Sequence, residues 1–433
     1  MRSFCMFKRW FLGVAVGVSV MAIAGCGSSP QTNSAGSSDA PEVEFWTMQL
    51  QPKFTEYFNT LISEFEAGQS GLSVRWVDVP WSAMESKVLT AVSAKTAPDV
   101  VNLNPNFASQ LASKNAWLNL DTVLTQEMRD RYLPKIWEAN QIDGQTFGVP
   151  WYLTTRISFY NQDLFEQAGI TAPPKTYEEL AEVAAEVKAN TGKYAFFATF
   201  VPGDSNEVLE SMVQMGVTFT GEDGKAAFNT PAGIAAFRYW VDLYEQDLLP
   251  PEVLTQGHQH GIELYQAGET AIVNTSPEFI KTIQQNAPSI AAVSMPSDQI
   301  TGSTGKKNVA VMNLVIPKDS PDQEAALEFA LFVTNTENQL EFAKSANVLP
   351  STVDAVEQYI AALEGESSEN LISLARQVSA RQLKDAEILI PAQKNLTQLQ
   401  KFVYENLQAA MLGQKSVEQA VEDAAAAWDS LPR

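Results

Sequence analysis

The sequence predicts an α/β protein with a parallel sheet covered on both faces, preceded by an export signal. From Glu42 onward, short β-rich runs alternate with stretches of helical apolar periodicity, and that alternation builds βαβ units. Of the 433 residues, 45% are hydrophobic and 10% aromatic, too apolar for a disordered chain and long enough for two or three domains. A 15-residue apolar run near the N-terminus is short for a membrane span and fits a signal peptide.

Residues 1–9 carry Arg2, Lys8 and Arg9 and no acid, and Trp10 to Ala24 supplies the apolar region. The run ends in Ile23-Ala24-Gly25-Cys26, which resembles a bacterial lipobox, where small residues precede a cysteine that becomes the lipidated first residue. An uncleaved anchor helix with an incidental cysteine is the alternative. The expectation is a signal peptide over 1–25 and a lipid on Cys26, holding the protein on the periplasmic or cell-surface side of a bacterial membrane. Cys5 leaves with the signal peptide and Cys26 is capped, so no free thiol remains for catalysis or a disulfide. Residues 26–41 are small and polar and read as a flexible tether.

Val43 to Trp46 is a strand candidate. Lys53 to Ala67 places Phe54, Tyr57, Phe58, Leu61, Ile62 and Phe65 on one helical stripe. Leu72 to Val79 alternates with period two. Ser82 and Glu85 form a capping box for a helix to Ala94, and Pro98 to Leu103 is the third strand. Val149 to Tyr160 is a long β-rich stretch. Thr176 caps a helix closed by Gly192, and Thr230-Pro231 opens a helix to Glu245. Ala271–Val273 and 290–295 are further strands. The last hundred residues are mostly helical, over about 321–343, 352–363, 369–380, 393–412 and 416–430, with Ser416 and Gln419 as another capping box. No fixed-period repeat occurs, which argues against a solenoid.

Composition also excludes functions. Lys plus Arg number 29 against 51 Asp plus Glu, a net charge of −22 that repels nucleic acid and anionic lipid. Two cysteines and two histidines cannot build a disulfide framework or a Cys/His zinc cluster. His258 and His260 lie between glycines and read as a solvated turn rather than a metal pair. No nucleophile-elbow, zincin, phosphate-loop or dinucleotide pattern occurs, so no catalytic residue, metal or cofactor is expected. The aromatic residues carry more information. Trp46 and Trp81 are placed at strand ends, with Asn102, Asn104 and Asn106 after the third strand, and ligands of open sheets sit beyond strand ends. Indoles stack on sugar faces and carboxamides match hydroxyls, so a carbohydrate is the expected ligand; core or rim packing is the alternative for each tryptophan.

The chain from 42 to 351 resembles the sugar-binding proteins of bacterial ABC importers, the family that includes maltose-binding protein. The resemblance rests on Val43-Glu44-Phe45-Trp46, Ala97-Pro98-Asp99-Val100-Val101, and Phe147 to Tyr152 followed by Phe159-Tyr160-Asn161-Gln162-Asp163-Leu164-Phe165. It continues through Phe165 to Gly169, Pro173 to Tyr177, Gln266 to Ile272, Ala325 to Asn338 and Asn347-Val348-Leu349-Pro350-Ser351. The sequence departs from the family at Asn274 to Phe279, where a Gly-x-Trp is usual, and at Lys307 to Asn313, where a Gly-Gly is usual.

The resemblance implies a two-lobed periplasmic-binding-protein fold, each lobe a mostly parallel sheet flanked by helices. Lobe one would be 42–152 plus 297–345, and lobe two 153–296 plus 346–433. Three interlobe crossings would lie near Leu153, Val293 and Asn347. A small carbohydrate or polyol-type ligand would bind between the lobes and pass to membrane permeases driven by a cytoplasmic ATPase. The protein would act as a monomer, with no bond made or broken. The candidate binding residues are Trp46, Gln49, Trp81, Asn104, Trp151, Tyr152, Asn274, Glu278, Met312 and Asn313. The rival readings are an exported glycan-acting hydrolase or lyase, which needs two placed carboxylates, and a lipid-tethered adhesion or scaffold protein.

Overall fold

Strands β1 (Glu42–Met48), β2 (Ser73–Val79) and β3 (Val100–Leu103) alternate with helices α1 (Thr55–Gly68) and α2 (Trp81–Ala94). In this computed structural model, which describes residues 41–69, 71–112, 114–366 and 370–432, β1 lies between β2 and β3 and runs parallel to both. The signal peptide, Cys26 and all of the tether but Pro41 fall outside the described residues. Phe58, Leu61 and Phe65 of α1 are buried, as their spacing requires. The capping box expected at Ser82 is not used: α2 begins at Trp81, directly after Pro80, so Ser82 lies inside the first turn. Helix α3 (Pro105–Ala112) follows β3.

The β-rich stretch after Val149 divides at Arg156. Strand β4 (Val149–Thr155) stays in the first sheet, and β5 (Ile157–Asn161) is the central strand of a second one, between β6 (Ile272–Thr275) and β7 (Ser294–Asp298). The chain returns as β8 (Lys307–Val315). The first sheet then runs β9 (Leu349–Pro350), β4, β8, β3, β1, β2, with β10 (Ala386–Glu387) beside the start of β8.

Neither sheet is mostly parallel. In the first, β8, which returns the chain from lobe two, runs antiparallel to β3 and β4. In the second, β5, which brings the chain into lobe two, runs antiparallel to β6 and β7.

Lobe two adds α4 (Gln162–Ala168), α5 (Tyr177–Thr191), α6 (Glu207–Gln214), α7 (Pro231–Glu245) and α8 (His258–Gln266). Thr176 and Thr230 accept from backbone N–H groups as helix caps, and Gly192 closes α5 at φ 71°. Residues 290–295 are not one strand: a short helix Pro288–Ala292 precedes β7. The helix expected over 321–343 is two, α9 (Gln323–Val333) and α10 (Thr336–Ala346), because Asn335 caps the second by accepting from Asn338 N at 2.8 Å. They are followed by α11 (Val353–Glu364), α12 (Leu371–Gln382), α13 (Leu396–Met411) and α14 (Val417–Asp429). The Ser416 hydroxyl caps α14 as expected.

The lobe boundaries differ from the sequence reading for a packing reason. Leu153 to Thr155 pair with β8 in the first sheet, and Ser297 and Asp298 pair with β5 in the second. Val348, Leu349, Tyr359 and Leu363 are buried in the core of lobe one, so the chain does not pass to lobe two at Asn347. Helices α13 and α14 do pack in the core of lobe two. No described helix is long and apolar enough to cross a membrane.

Carboxamides tie the crossings together. Gln299 N donates to Gln382 Oε1 at 3.0 Å, Asn308 N donates to Gln299 Oε1 at 2.6 Å, and Gln382 Nε2 reaches Arg156 O at 3.4 Å. Gln214 Nε2 of α6 donates to Lys306 O at 2.8 Å. Thr155 and Ser379 share a hydroxyl hydrogen bond of 2.8 Å.

Candidate functional site

A cleft with about 740 Å³ of space opens where the two sheets meet. Its floor is the crossing itself: Thr154 of β4 and Arg156 at the break between β4 and β5, with Asn308 and Ala310 on the returning strand. Lobe one contributes the turn after β1 (Met48, Gln49, Leu50), Lys53 and Phe54, Trp81 at the start of α2, Tyr152 and Phe342. Lobe two contributes Asp204, Ser205, His258, Thr275, Ser276, Glu278 and Phe279. A space of this size with aromatic walls and a few convergent polar groups suits a small ligand.

Four acidic groups on the lobe-two side differ in what they are free to do. Arg156 places its guanidinium 3.0 Å from Glu210 and 3.6 Å from Glu207. Burial works against the charge on Arg156, and the two carboxylates outweigh it, holding its pKa above the usual value. Burial also opposes ionisation of Glu207, but the imidazole of His258 at 3.6 Å, Arg156 and the Thr199 N–H together hold its pKa below the usual range. Asp204 spends both oxygens on the backbone N–H of His258, at 3.0 and 3.1 Å. Glu278 is different. Its burial pushes its carboxyl pKa up, and the pull from Lys53 across the cleft, the Ser276 hydroxyl and His258 does not cancel that. A desolvated carboxylate facing an open cleft is a strong acceptor awaiting donors.

Comparison with known proteins decides what kind of cleft this is. A family model described as bacterial extracellular solute-binding protein matches residues 51–340. The chain belongs to that family. A solved structure from Synechococcus sp. MITs9220, described as an oligosaccharide periplasmic-binding protein in complex with zinc, is 45% identical, with a TM-score of 0.86 over 89% of this chain and 98% of that one. The cyclic alpha-maltosyl-1,6-maltose binding protein of Arthrobacter globiformis shares the two-lobed fold, at 21% identity and a TM-score of 0.75, over 90% of this chain and 98% of that one. Among curated relatives, the arabinooligosaccharide-binding protein of Bacillus subtilis is 23% identical over 331 residues, 73% of this chain and 74% of its own.

The solute-binding cleft collects four of the ten residues singled out from sequence: Gln49, Trp81, Tyr152 and Glu278. The other six lie elsewhere. Trp151 is fully buried in the core of lobe one, stacked on Phe342 with ring centroids 5.0 Å apart. Trp46 is buried, donating to Glu44 at 2.6 Å under the Lys87 ammonium. Asn104 caps α3, accepting from Phe107 N at 2.8 Å. Asn313 is buried in the sheet, where its side-chain oxygen accepts from Asn140 and its carbonyl from Asn102. Met312 is buried beside it, and Asn274 accepts from Ser158 Oγ at 2.6 Å, below the cleft floor.

Sequence reading passed over Arg156, Lys53, His258 and Phe279. His258 is no solvated turn: it opens α8 and faces the cleft. A signal was available for Arg156, the one charge in the run from Val149 to Tyr160. A charge inside a β-rich run needs a buried partner or a place where the sheet ends.

Trp81 is the largest apolar side chain left open to the cleft, 41% exposed, with its ring 5.8 Å from Phe107. Trp81→Ala is expected to weaken ligand binding by about 1–3 kcal/mol, the scale of burying one large ring. Calorimetry and a urea titration on the same variant check it: the affinity should fall while the unfolding midpoint stays near that of the wild type.

Proposed function

We propose that this solute-binding protein captures a carbohydrate or polyol-type solute in the interlobe cleft and delivers it to the permease of an ABC importer driven by a cytoplasmic ATPase. The observation that carries the reading is the cleft lining: aromatic faces at Trp81, Tyr152 and Phe279 set beside the acceptor Glu278 and the hydroxyls of Thr154 and Ser276. Apolar ring faces next to hydrogen-bonding groups match the two sides of a sugar ring. The names of the relatives, for arabino-oligosaccharides and for diacetylchitobiose in Streptomyces coelicolor, point the same way. Binding without chemistry also fits. Glu207 and Glu210 are engaged by Arg156 and Asp204 by His258, which leaves Glu278 without the second placed carboxylate a glycosidase uses.

A thermal-shift screen of mono-, di- and oligosaccharides and polyols tests the reading. A true ligand at a hundredfold excess over its dissociation constant is expected to add about 2.7 kcal/mol to stability. If none of them raises the melting temperature, the carbohydrate assignment fails.

The lipobox-like Ile23-Ala24-Gly25-Cys26 supports export and tethering by lipid at Cys26, with the globule held outside the membrane. Cys26→Ser is expected to abolish incorporation of labelled fatty acid, since serine has no thiol to form the thioether. Normal labelling of that variant would refute the site.

A further inference from the structure

The two ends of the cleft are built differently. At one end, Trp81 of lobe one and Ser205 of lobe two line the space. Just beyond them the lobes touch: Asn206 Nδ2 donates to Asn106 Oδ1 of α3 at 3.1 Å, and Gln110 of α3 donates to the Thr397 hydroxyl at the start of α13. Asn206 follows Ser205 of the lining, and Asn106 precedes Phe107, whose ring packs behind the lining residue Trp81, so the contact lies directly behind this end of the cleft.

The lobe-two half of this contact is held firmly. Gln400, almost fully buried, accepts from Gly203 N at 2.6 Å and donates to Ser205 O at 2.8 Å and to Asn206 Oδ1 at 3.0 Å. The Tyr404 hydroxyl donates to Ser205 O at 2.7 Å. The polypeptide runs along the seam between the lobes at the same place: Ile390 packs in the core of lobe two, Ala392 is buried with Phe107 in lobe one, and Leu396 lies in the core of lobe two again. At the other end, Phe54 and Phe342 of lobe one look across at Phe279 and Thr282 of lobe two. Lys53 and Glu278 influence each other there only through space.

We infer that the Asn106–Asn206 bridge, backed by the chain crossing at 392–396, is an end stop: the protein reads one terminus of a saccharide chain, and longer chains extend only toward Phe54, Phe279 and Phe342. The inference rests on the carbohydrate reading above and adds which part of a chain is recognised. An internal segment of a polymer needs a groove open at both ends, and a wall hydrogen-bonded across both lobes, with Gln400 and Tyr404 buried behind it, rejects anything attached beyond it.

The test is calorimetric titration of maltotriose and N,N′,N″-triacetylchitotriose in three forms. These are the free sugar, the sugar carrying 2-aminobenzamide at its reducing end, and the sugar carrying a benzylidene acetal across the 4- and 6-hydroxyls of its other end. For a trisaccharide that binds, one blocked form is expected to match the free sugar and the other to bind roughly tenfold weaker or worse, the scale on which a pocket rejects a misfit. In Asn106→Ala/Gln110→Ala, and in the single variant Asn206→Ala, that difference should narrow. Urea midpoints of the variants confirm that each is folded, and the single variant keeps the test alive if the double one is not.

Equal tolerance of both blocked forms, equal rejection of both, or a difference untouched in the folded variants would overturn the end stop alone. Failure of both free trisaccharides to bind, with no sugar or polyol of the thermal-shift screen raising the melting temperature, would remove the carbohydrate reading, and this inference with it; binding of a monosaccharide or polyol alone would overturn the end stop and leave that reading standing.

Discussion

Trp151→Ala is expected to cost about 3–5 kcal/mol of folding stability and to leave ligand affinity unchanged. The indole is fully buried, stacked on Phe342 and set edge-on to Phe45 at 6.1 Å and Phe58 at 5.9 Å. Its removal opens a cavity between β4, α1 and α10 that three other rings cannot collapse to fill. The urea midpoint and the calorimetric affinity of the same variant decide it. Affinity lost in proportion to stability would instead place the indole in contact with solute. Tyr152, its neighbour, gives the contrast, because it lines the cleft and its loss should show first in binding.

Arg156→Met carries the second large effect. It keeps the aliphatic stem and removes the charge that offsets two mostly buried carboxylates, Glu207 and Glu210. Breaking one side of a buried ion pair costs about 3–5 kcal/mol.

The pH dependence has a definite sign. In the wild type the Glu207 pKa is lowered in the fold, so its contribution is present above the unfolded value and is lost as pH falls through the folded one. That places the loss below about pH 4.5, the usual glutamate value. Without the guanidinium, the burial of Glu207 is opposed only by His258 and the Thr199 N–H, so its carboxyl takes up a proton at a higher pH than in the wild type. The stability gap between wild type and Arg156→Met should therefore narrow between about pH 7 and about pH 4 in urea titrations. A gap constant across that range would mean that the arginine acts by packing, not by charge.

These two residues also mark where the sequence was readable and where it was not. The alternation from Glu42 to Leu103 is local and appears in the structure as written, and so do the caps at Thr176, Thr230 and Ser416, because a cap needs only its own turn. Strand periodicity places Trp151 and Tyr152 on opposite faces, so at most one of them could face the cleft. Nothing within β4 says which, since the answer depends on Phe342 in a helix nearly two hundred residues away.

Asn104 was legible in another way: an Asn directly before Pro105 is a helix cap by local rules, and the cap uses the amide that a sugar would need. Asn313 could not be placed without knowing that β8 returns between β3 and β4. His258 and Arg156 meet only through Glu207, on a third element, so no spacing in the sequence joins them.

Beside the partly buried Arg156 pairs with Glu207 and Glu210, the joint between the lobes is fastened by uncharged groups: Gln214, Gln299, Asn308 and Gln382, with the Thr155–Ser379 hydroxyl pair. Dissolved ions shield interactions between charges far more than short dipolar contacts. The balance between the lobes' open and shut positions should therefore hold steady from dilute buffer to strong brine, while the surface pairs such as Arg75 with Glu42 weaken. A receptor jointed in this way keeps its reach constant in a medium whose salinity it does not control.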